Sequence, residues 1–257
     1  MLPPLCDSHC HLDQFDDAAL EGMLARAAEA GVVMIVSVGT TLESSRRAVD
    51  LAERHALVYA GVGLHPQDIK APAGDAEIAV LRQLARASPK VVCVSETGLD
   101  YQAASPDRRW QVESLRRHVR LARELGKAVD FHAREAYEDI LPVLREEGIG
   151  EVGAIWHYFQ GDARHAAEAI ALGCYISLAK PLLREPVLQE AVREIPIERI
   201  VLETDSYPQL FKKNAARRTE PAHVVQVAEK VAEIKGVTLG QVAEATTANL
   251  RRVLRMG

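Results

Sequence analysis

Leu5-Cys6-Asp7-Ser8-His9-Cys10-His11 is a short apolar run that ends in two histidines, and we interpret it as the first strand of the fold. Side chains alternate along a strand, so His9 and His11 project from the same side. Two imidazoles on one face can chelate one metal ion. An isolated pair of this kind is a weak signal, and the rest of the chain has to decide between a metal site and two structural histidines.

Short runs rich in Val, Ile and Ala recur along the chain, and longer segments with helical spacing separate them, which predicts a parallel sheet. Eight is the number of strands that closes a β/α barrel, so we predict a (β/α)8 TIM barrel, with residues 1–257 forming a single domain. The eight runs are Leu5 to His9, Val32 to Val38, Val58 to Leu64, Val91 to Glu96, Ala128 to His132, Val152 to His157, Cys174 to Leu178 and Ile200 to Asp205.

The clearest helical segments begin with a proline or an acidic residue and several end near glycine, as helices commonly do. A final amphipathic segment, with Thr238 as its expected N-cap, should pack on the outer wall of the barrel. The predicted helices span Pro106 to Leu125, Glu135 to Glu146, Asp162 to Leu172, Pro221 to Lys235 and Thr238 to Arg255.

Composition is that of a globular protein with a sizeable core, since 48% of the residues are hydrophobic and 26% are charged. The formal net charge of −5 argues against a surface that attracts polyanions everywhere. Contact with a nucleic acid would therefore need a local basic patch. We interpret the segment after the eighth run as a basic loop that could supply one, with Lys212, Lys213, Arg217 and Arg218.

The four cysteines form no CxxC pair and three of them lie in apolar runs, so we expect reduced, buried thiols and a reducing compartment. The first residues have no segment of signal-peptide character, and no apolar run approaches the ~20 residues of a bilayer span. We therefore expect a cytoplasmic protein without membrane association. The cysteines are Cys6, Cys10, Cys93 and Cys174.

Five of the eight predicted strands end in a residue that can bind a metal ion. The C-terminal ends of barrel strands surround one mouth, so these residues should converge although they are distant in sequence. Alternatively, Glu96 could pair with an arginine, and Asp205 could cap a turn. The candidate metal ligands are His9, His11, Glu96, His132, His157 and Asp205.

Nitrogen and carboxylate donors without a thiolate suit Zn, Mn, Ni or Fe(II), and Mg at a carboxylate-rich position. Six donors exceed the needs of one tetrahedral ion and suit two divalent ions that share a carboxylate, for which Glu96 is the candidate. His65, at the end of the third strand, is either a substrate contact or a further ligand. The helical segments hold the other histidines, most of which we expect to be solvated: His55, His118, His165 and His223.

Six blocks in order resemble the TatD family of metal-dependent deoxyribonucleases, and they span nearly the whole chain. They are Asp7-Ser8-His9-Cys10-His11-Leu12-Asp13, Gly63-Leu64-His65-Pro66, Glu96-Thr97-Gly98-Leu99-Asp100, His132-Ala133-Arg134, His157-Tyr158-Phe159-Gln160-Gly161 and Glu203-Thr204-Asp205-Ser206.

This resemblance implies a barrel of the amidohydrolase superfamily with a two-metal site. It assigns one ion to His9, His11, Glu96 and Asp205 and the other to Glu96, His132 and His157. It also implies that His65 and Arg134 face a scissile phosphate. The chain departs from the family pattern in the loops, where it reads Ser206-Tyr207-Pro208, Thr219-Glu220-Pro221 and Tyr101-Gln102.

We accordingly expect a nuclease that cuts single-stranded DNA from its 3′ end, using water activated by two metal ions, with Asp205 as the base. The same chemistry serves a carbonyl substrate, so a D-aminoacyl-tRNA ester, a lactone or a small amide is the alternative. A non-catalytic binding protein that retains the barrel is a third class, which the intact ligand set disfavours.

Overall fold

The computed structural model describes residues 4–209, 211 and 218–256. Within these residues, eight strands follow one another around a single sheet in sequence order, and consecutive strands pair in parallel. The predicted β/α barrel is confirmed. The strands are β1 Leu5–Cys10, β2 Val32–Val38, β3 Val58–Val62, β4 Val91–Asp100, β5 Ala128–Arg134, β6 Ala154–Trp156, β7 Cys174–Leu178 and β8 Ile200–Leu202.

Strands β6 and β8 end earlier than the sequence predicts, before His157 and Asp205. The backbone nevertheless continues to hydrogen-bond with the neighbouring strand for one more residue in each case. His157 N–H donates to Phe131 O (3.1 Å), and Glu203 N–H donates to Leu178 O (3.1 Å). Residues at the mouth are therefore still positioned by sheet-like hydrogen bonds.

The seam between β8 and β1 is closed by the residues that follow β8. Asp205 N–H donates to His9 O (3.0 Å), and His11 N–H donates to Ser206 O (2.8 Å). The buried carboxylate of Asp7 accepts the backbone N–H of Thr204 at 2.9 Å. Burial raises the pKa of Asp7 to about 7 against these hydrogen bonds. Backbone and side-chain hydrogen bonds thus join the first strand to the residues after the last strand, next to the candidate ligands His9, His11 and Asp205.

Helices surround the barrel, and their starts follow local capping rules. Asp16, Thr41, Asp162 and Thr238 each accept the N–H of the residue three positions on, as the sequence predicts for Thr238. The helices are α1 Asp17–Glu29, α2 Leu42–Arg54, α3 Asp75–Ala87, α4 Arg108–Leu125, α5 Tyr137–Glu146, α6 Ala163–Ala171, α7 Pro186–Glu194, α8 Val224–Lys235 and α9 Leu239–Val253.

In the described part of the chain, the buried hydrophobic side chains form two clusters, and all four cysteines are buried free thiols, Cys10 and Cys174 in the larger cluster and Cys6 and Cys93 in the smaller one. Inside the barrel, below the mouth, the packing turns polar: Ser8, Ser95, Asp130 and Ser177 are fully or almost fully buried. None of the described helices combines the length and apolarity that a bilayer span requires.

Candidate metal centre

Glu96 lies at the centre of the predicted ligand set, on β4, with 3% of its surface exposed. Its Oε1 is 3.1 Å from His132 Nδ1 and 3.3 Å from His157 Nε2. Its Oε2 is 3.5 Å from His9 Nε2 and 3.6 Å from His11 Nε2. The two oxygens of one carboxylate therefore face two different pairs of imidazoles, which is the arrangement expected of a carboxylate between two cations.

Asp205 completes the set on the β1 side, with Oδ1 3.4 Å from His11 Nε2. Its backbone adopts a positive φ of 48°, as does Tyr158 after β6. Such strain in a non-glycine residue is held in place by surrounding bonds and is concentrated at functional sites. The structure thus brings all six predicted residues together, and ligand atoms within 4.8 Å of one another form the groups His9–His11–Glu96, His9–His157–Asp205 and His65–Glu96–His132.

Each of the four predicted ligand histidines presents its second ring nitrogen to an oxygen that can only accept. In the neutral ring that nitrogen carries the proton, so the nitrogen that faces the centre can offer its lone pair to a metal ion. Metal-binding histidines are commonly fixed in this way. The pairs are His9 Nδ1 with Asp130 Oδ2 (2.8 Å), His11 Nδ1 with Val38 O (3.2 Å), His132 Nε2 with Asp100 Oδ2 (3.0 Å) and His157 Nδ1 with Glu203 Oε1 (3.1 Å).

His65 has the opposite arrangement. Its Nδ1 accepts the backbone N–H of Gln67 at 3.1 Å, so a neutral ring carries its proton on Nε2. That Nε2 lies 3.4 Å from Glu96 Oε1 and lines the cavity. In this tautomer His65 offers the cavity a hydrogen-bond donor rather than a lone pair.

The electrostatics of the centre fit a bound cation. His9 Nε2 is buried without a hydrogen-bond partner. Burial and the neighbouring His157 lower the pKa of His9, but the carboxylates of Asp130 and Glu96 outweigh them and raise it to about 10. Burial raises the pKa of Glu96, but the surrounding histidines bring it well below its usual range. The buried carboxylates are therefore stabilised by nearby positive charge. A divalent metal ion that prefers nitrogen and oxygen ligands would supply that charge.

The centre opens into a cavity of about 580 Å³. Arg134 lines it, with 44% of its side chain exposed and a hydrogen bond to Gln102 Oε1 (3.2 Å). Two further cations that the sequence reasoning missed, Lys180 and Arg184, reach the cavity from the turn after β7. Their position just after the end of β7 is the sequence feature that could have predicted them at the mouth of the barrel. Of the predicted basic loop, Lys212, Lys213 and Arg217 lie outside the described residues, and Arg218 is partly buried.

Sequence reasoning also missed the buried acids that orient the histidines, namely Asp100, Asp130 and Glu203. A carboxylate within or next to an apolar strand is costly without a partner, and that cost was the signal that could have revealed them. The prediction that most helical histidines are solvated is wrong for His118. Its ring is fully buried between α4 and the end of β3 and holds two hydrogen bonds.

A family model described as TatD related DNase matches residues 6–255. The chain belongs to the TatD family. A TatD homologue from Escherichia coli, whose crystal structure is known, superposes with a TM-score of 0.89 at 26% identity and full coverage of both chains. The resemblance recognised from the sequence is confirmed.

Among relatives, a Bacillus subtilis protein named an uncharacterized metal-dependent hydrolase, YabD, is 35% identical over 98% of this chain and 99% of its own length. A human protein named deoxyribonuclease TATDN3 is 31% identical over 95% of this chain and 92% of its own. As a member of the TatD family, the chain is a metal-dependent hydrolase, and the cluster around Glu96 is where the structure can hold the metal.

Proposed function

We propose that this TatD-family chain is a deoxyribonuclease that hydrolyses phosphodiester bonds of single-stranded DNA from the 3′ end, with two divalent ions in its centre. The observation that carries the choice of a phosphodiester is the set of cations beside the candidate metal centre. Arg134, Lys180 and Arg184 all line its cavity. Phosphate is the substrate group whose charge those side chains complement.

One ion would be held by His9, His11, Asp205 and Glu96 Oε2, and the other by His132, His157 and Glu96 Oε1. The distances from both oxygens of Glu96 support this division. Bound divalent ions would lower the pKa of water and polarise the scissile bond. Zn, Mn, Ni, Fe(II) and Mg are the candidates by ligand type.

Asp205 is the proposed proton acceptor for the attacking water. Burial raises the pKa of its carboxyl, but the hydrogen bond from His11 and the charges of His157 and His9 bring it below its usual range, so it is ionised at neutral pH. His65 Nε2–H and the Arg134 guanidinium would donate to phosphoryl oxygens and stabilise the charge that develops there. Asp205→Asn should keep the fold and lose nearly all turnover.

A substrate panel tests the proposal directly. The metal-loaded protein is incubated with single-stranded and double-stranded DNA, an aminoacyl-tRNA ester and small amides, with and without a chelator. We expect shortening of single-stranded DNA from the 3′ end that the chelator abolishes. Turnover of the ester or amide with intact DNA would instead establish the carbonyl alternative, and chelator-resistant DNA cleavage would contradict a metal mechanism.

Arg184 and Arg109 form a matched pair for the role of the cavity cations. Arg184 lines the cavity, whereas Arg109 lies on α4 outside it with 91% of its side chain exposed. Arg184→Ala should weaken DNA binding and reduce the slope of its logarithmic salt dependence by about 1, whereas Arg109→Ala should change neither. Equal effects of the two variants would show that only overall charge matters.

A further inference from the structure

Helix α4 presents three buried polar side chains to the barrel, where an amphipathic helix ordinarily presents apolar ones. Gln111, Ser114 and His118 are 0%, 3% and 0% exposed. Their spacing of three and four residues places them on one face. Buried polar groups are costly unless they are hydrogen-bonded, so the partners of this polar face show what it does.

His118 bonds to the residue next to His65. Its Nε2 accepts the backbone N–H of Leu64 at 3.1 Å, while its Nδ1 donates to Ser114 O at 2.7 Å. Burial lowers the pKa of His118 to about 4, against the hydrogen bond to Ser114. The ring is therefore neutral at pH 7, and its Nε2 lone pair remains available to Leu64.

The other two side chains fasten neighbouring segments of the mouth. Ser114 Oγ accepts the N–H of Ala73 at 2.9 Å, near the far end of the connection between β3 and α3, to which Leu64 also belongs. Gln111 accepts the N–H of Asp100 (2.7 Å) and donates to its carbonyl (2.8 Å). Helix α4 thus holds both ends of residues 64–73 and the last residue of β4.

The segments that α4 holds carry side chains that lie at or next to the candidate metal centre. Residues 64–73 include His65 and Gln67, and Gln67 Nε2 donates to Asp100 Oδ2 at 3.0 Å. The same Asp100 oxygen accepts His132 Nε2. The polar face of α4 touches none of the six candidate ligands itself and acts only through backbone bonds of the segments that bear His65 and Asp100.

We propose that His118 is a positioning residue, which fixes the backbone at Leu64 and thereby holds His65 in its place beside Glu96 for the hydrolytic reaction. The kinetic consequence rests on the proposed function, whereas the positioning of the segment does not. Loss of the ring nitrogen would leave the buried Leu64 N–H unpaired and remove one of two adjacent backbone anchors, so that His65, held then only through its own N–H to Thr40 O (2.8 Å) on this side, would shift relative to Glu96. Displacements of about 1 Å at such positions can cost a hundredfold in rate.

Two substitutions separate the hydrogen bond from the shape of the ring. His118→Phe keeps an aromatic ring and removes both nitrogens. His118→Gln places an amide oxygen where Nε2 stands and can again accept from Leu64. We expect kcat/KM to fall about tenfold to a hundredfold in His118→Phe, with unchanged metal content, and to recover most of that loss in His118→Gln.

Asn249 supplies the matched control, because it too is a buried helical side chain that bonds to loop backbone. Its Nδ2 donates to Ile197 O and Ile200 O, both at 2.8 Å, at the start of β8 and so at the end of the barrel opposite the mouth. Asn249→Leu should lower the unfolding temperature as His118→Phe does but leave kcat/KM within about twofold, because this end of a barrel serves stability.

Amide hydrogen exchange of the metal-loaded protein adds a readout that needs no substrate. Exchange in residues 63–68 should accelerate in His118→Phe and stay slow in His118→Gln and Asn249→Leu. Unchanged exchange and kcat/KM in His118→Phe, or equal kinetic losses in all three variants, would overturn the positioning role. The proposed function has a separate test: it is wrong if the wild-type protein leaves every DNA substrate intact. In that case kcat/KM of the variants is measured on the substrate of the panel that the wild-type protein does turn over.

Discussion

Replacement of Glu203 separates what a buried charge contributes to the candidate metal centre from what its hydrogen bonds contribute to the fold. Glu203 is fully buried and accepts from His157 Nδ1 (3.1 Å) and Tyr158 N (2.7 Å) through Oε1. Its Oε2 accepts from Ser177 Oγ, which also contacts Ser8 Oγ at 3.0 Å. Two of the three donors meet one oxygen.

Glu203→Gln can therefore keep every partner, with its amide oxygen in place of Oε1 and its NH₂ donating to a reoriented Ser177. Only the charge is lost. Burial lowers the pKa of His157 but Glu203 and Glu96 raise it well above its usual value, so the ring is a weaker base without Glu203. Loss of such a partner weakens metal binding about tenfold to a hundredfold. Glu203→Leu also leaves the buried His157 Nδ1–H and the partly buried Tyr158 N–H unpaired, at up to about 1–3 kcal/mol each, so we expect it to cost up to about 6 kcal/mol of unfolding free energy.

The assay combines urea unfolding of the metal-free proteins with titration of Mn²⁺ or Zn²⁺ into each. We expect Glu203→Gln to lose metal affinity, together with the stability that its charge gives to a protonated His157, and Glu203→Leu to lose more unfolding free energy than Glu203→Gln, because its unpaired N–H groups add to the same loss of charge. Wild-type metal affinity in Glu203→Gln would refute the role of the charge. Equal unfolding free energies for the two variants would refute the role of the hydrogen bonds.

Two further predictions concern backbone packing and pH. Gly63→Ala would place a Cβ 2.7 Å from the carbonyl carbon of Ser95, next to Glu96. We expect it to lower the free energy of unfolding in urea by about 1–3 kcal/mol and to lower the amount of metal that the protein binds. Gly240→Ala on α9, with its nearest atom 3.8 Å away, should be neutral or stabilising, and similar losses in both would rule out the clash. Because the pKa of His9 is raised to about 10 without metal, its contribution to stability should be full below about pH 6.5 and be lost as the pH rises towards 10. Unfolding followed from pH 6 to 10 should show this decline, saturating metal ion should remove it, and a flat metal-free profile would contradict the prediction.

The barrel and the meeting of the six candidate ligands were predictable from the sequence, because both depend on periodicity. Apolar runs separated by helical segments define the strands, and parallel strands deliver their C-terminal residues to one mouth. His9 and His11 share a face because strand side chains alternate. The ends of β6 and β8 were less predictable, since His157 and Asp205 follow their strands, and Asp205 adopts a left-handed backbone conformation.

What the sequence by itself determined was the fold, the family and the set of residues at the mouth. Only the tertiary structure decided the role of each nitrogen and oxygen. Whether an imidazole offers a lone pair or a proton depends on the group that faces its other nitrogen. For His9 and His157 that group is distant in the chain, Asp130 on β5 and Glu203 just after β8, whereas for His65 it is the backbone N–H of Gln67, two residues on. The same holds for His118, whose helical position predicts exposure but whose neighbours across the barrel wall make it a buried hydrogen-bond acceptor. The partners of His9, His157 and His118 are separated from them by tens of residues or more, so no local pattern in the chain encodes them.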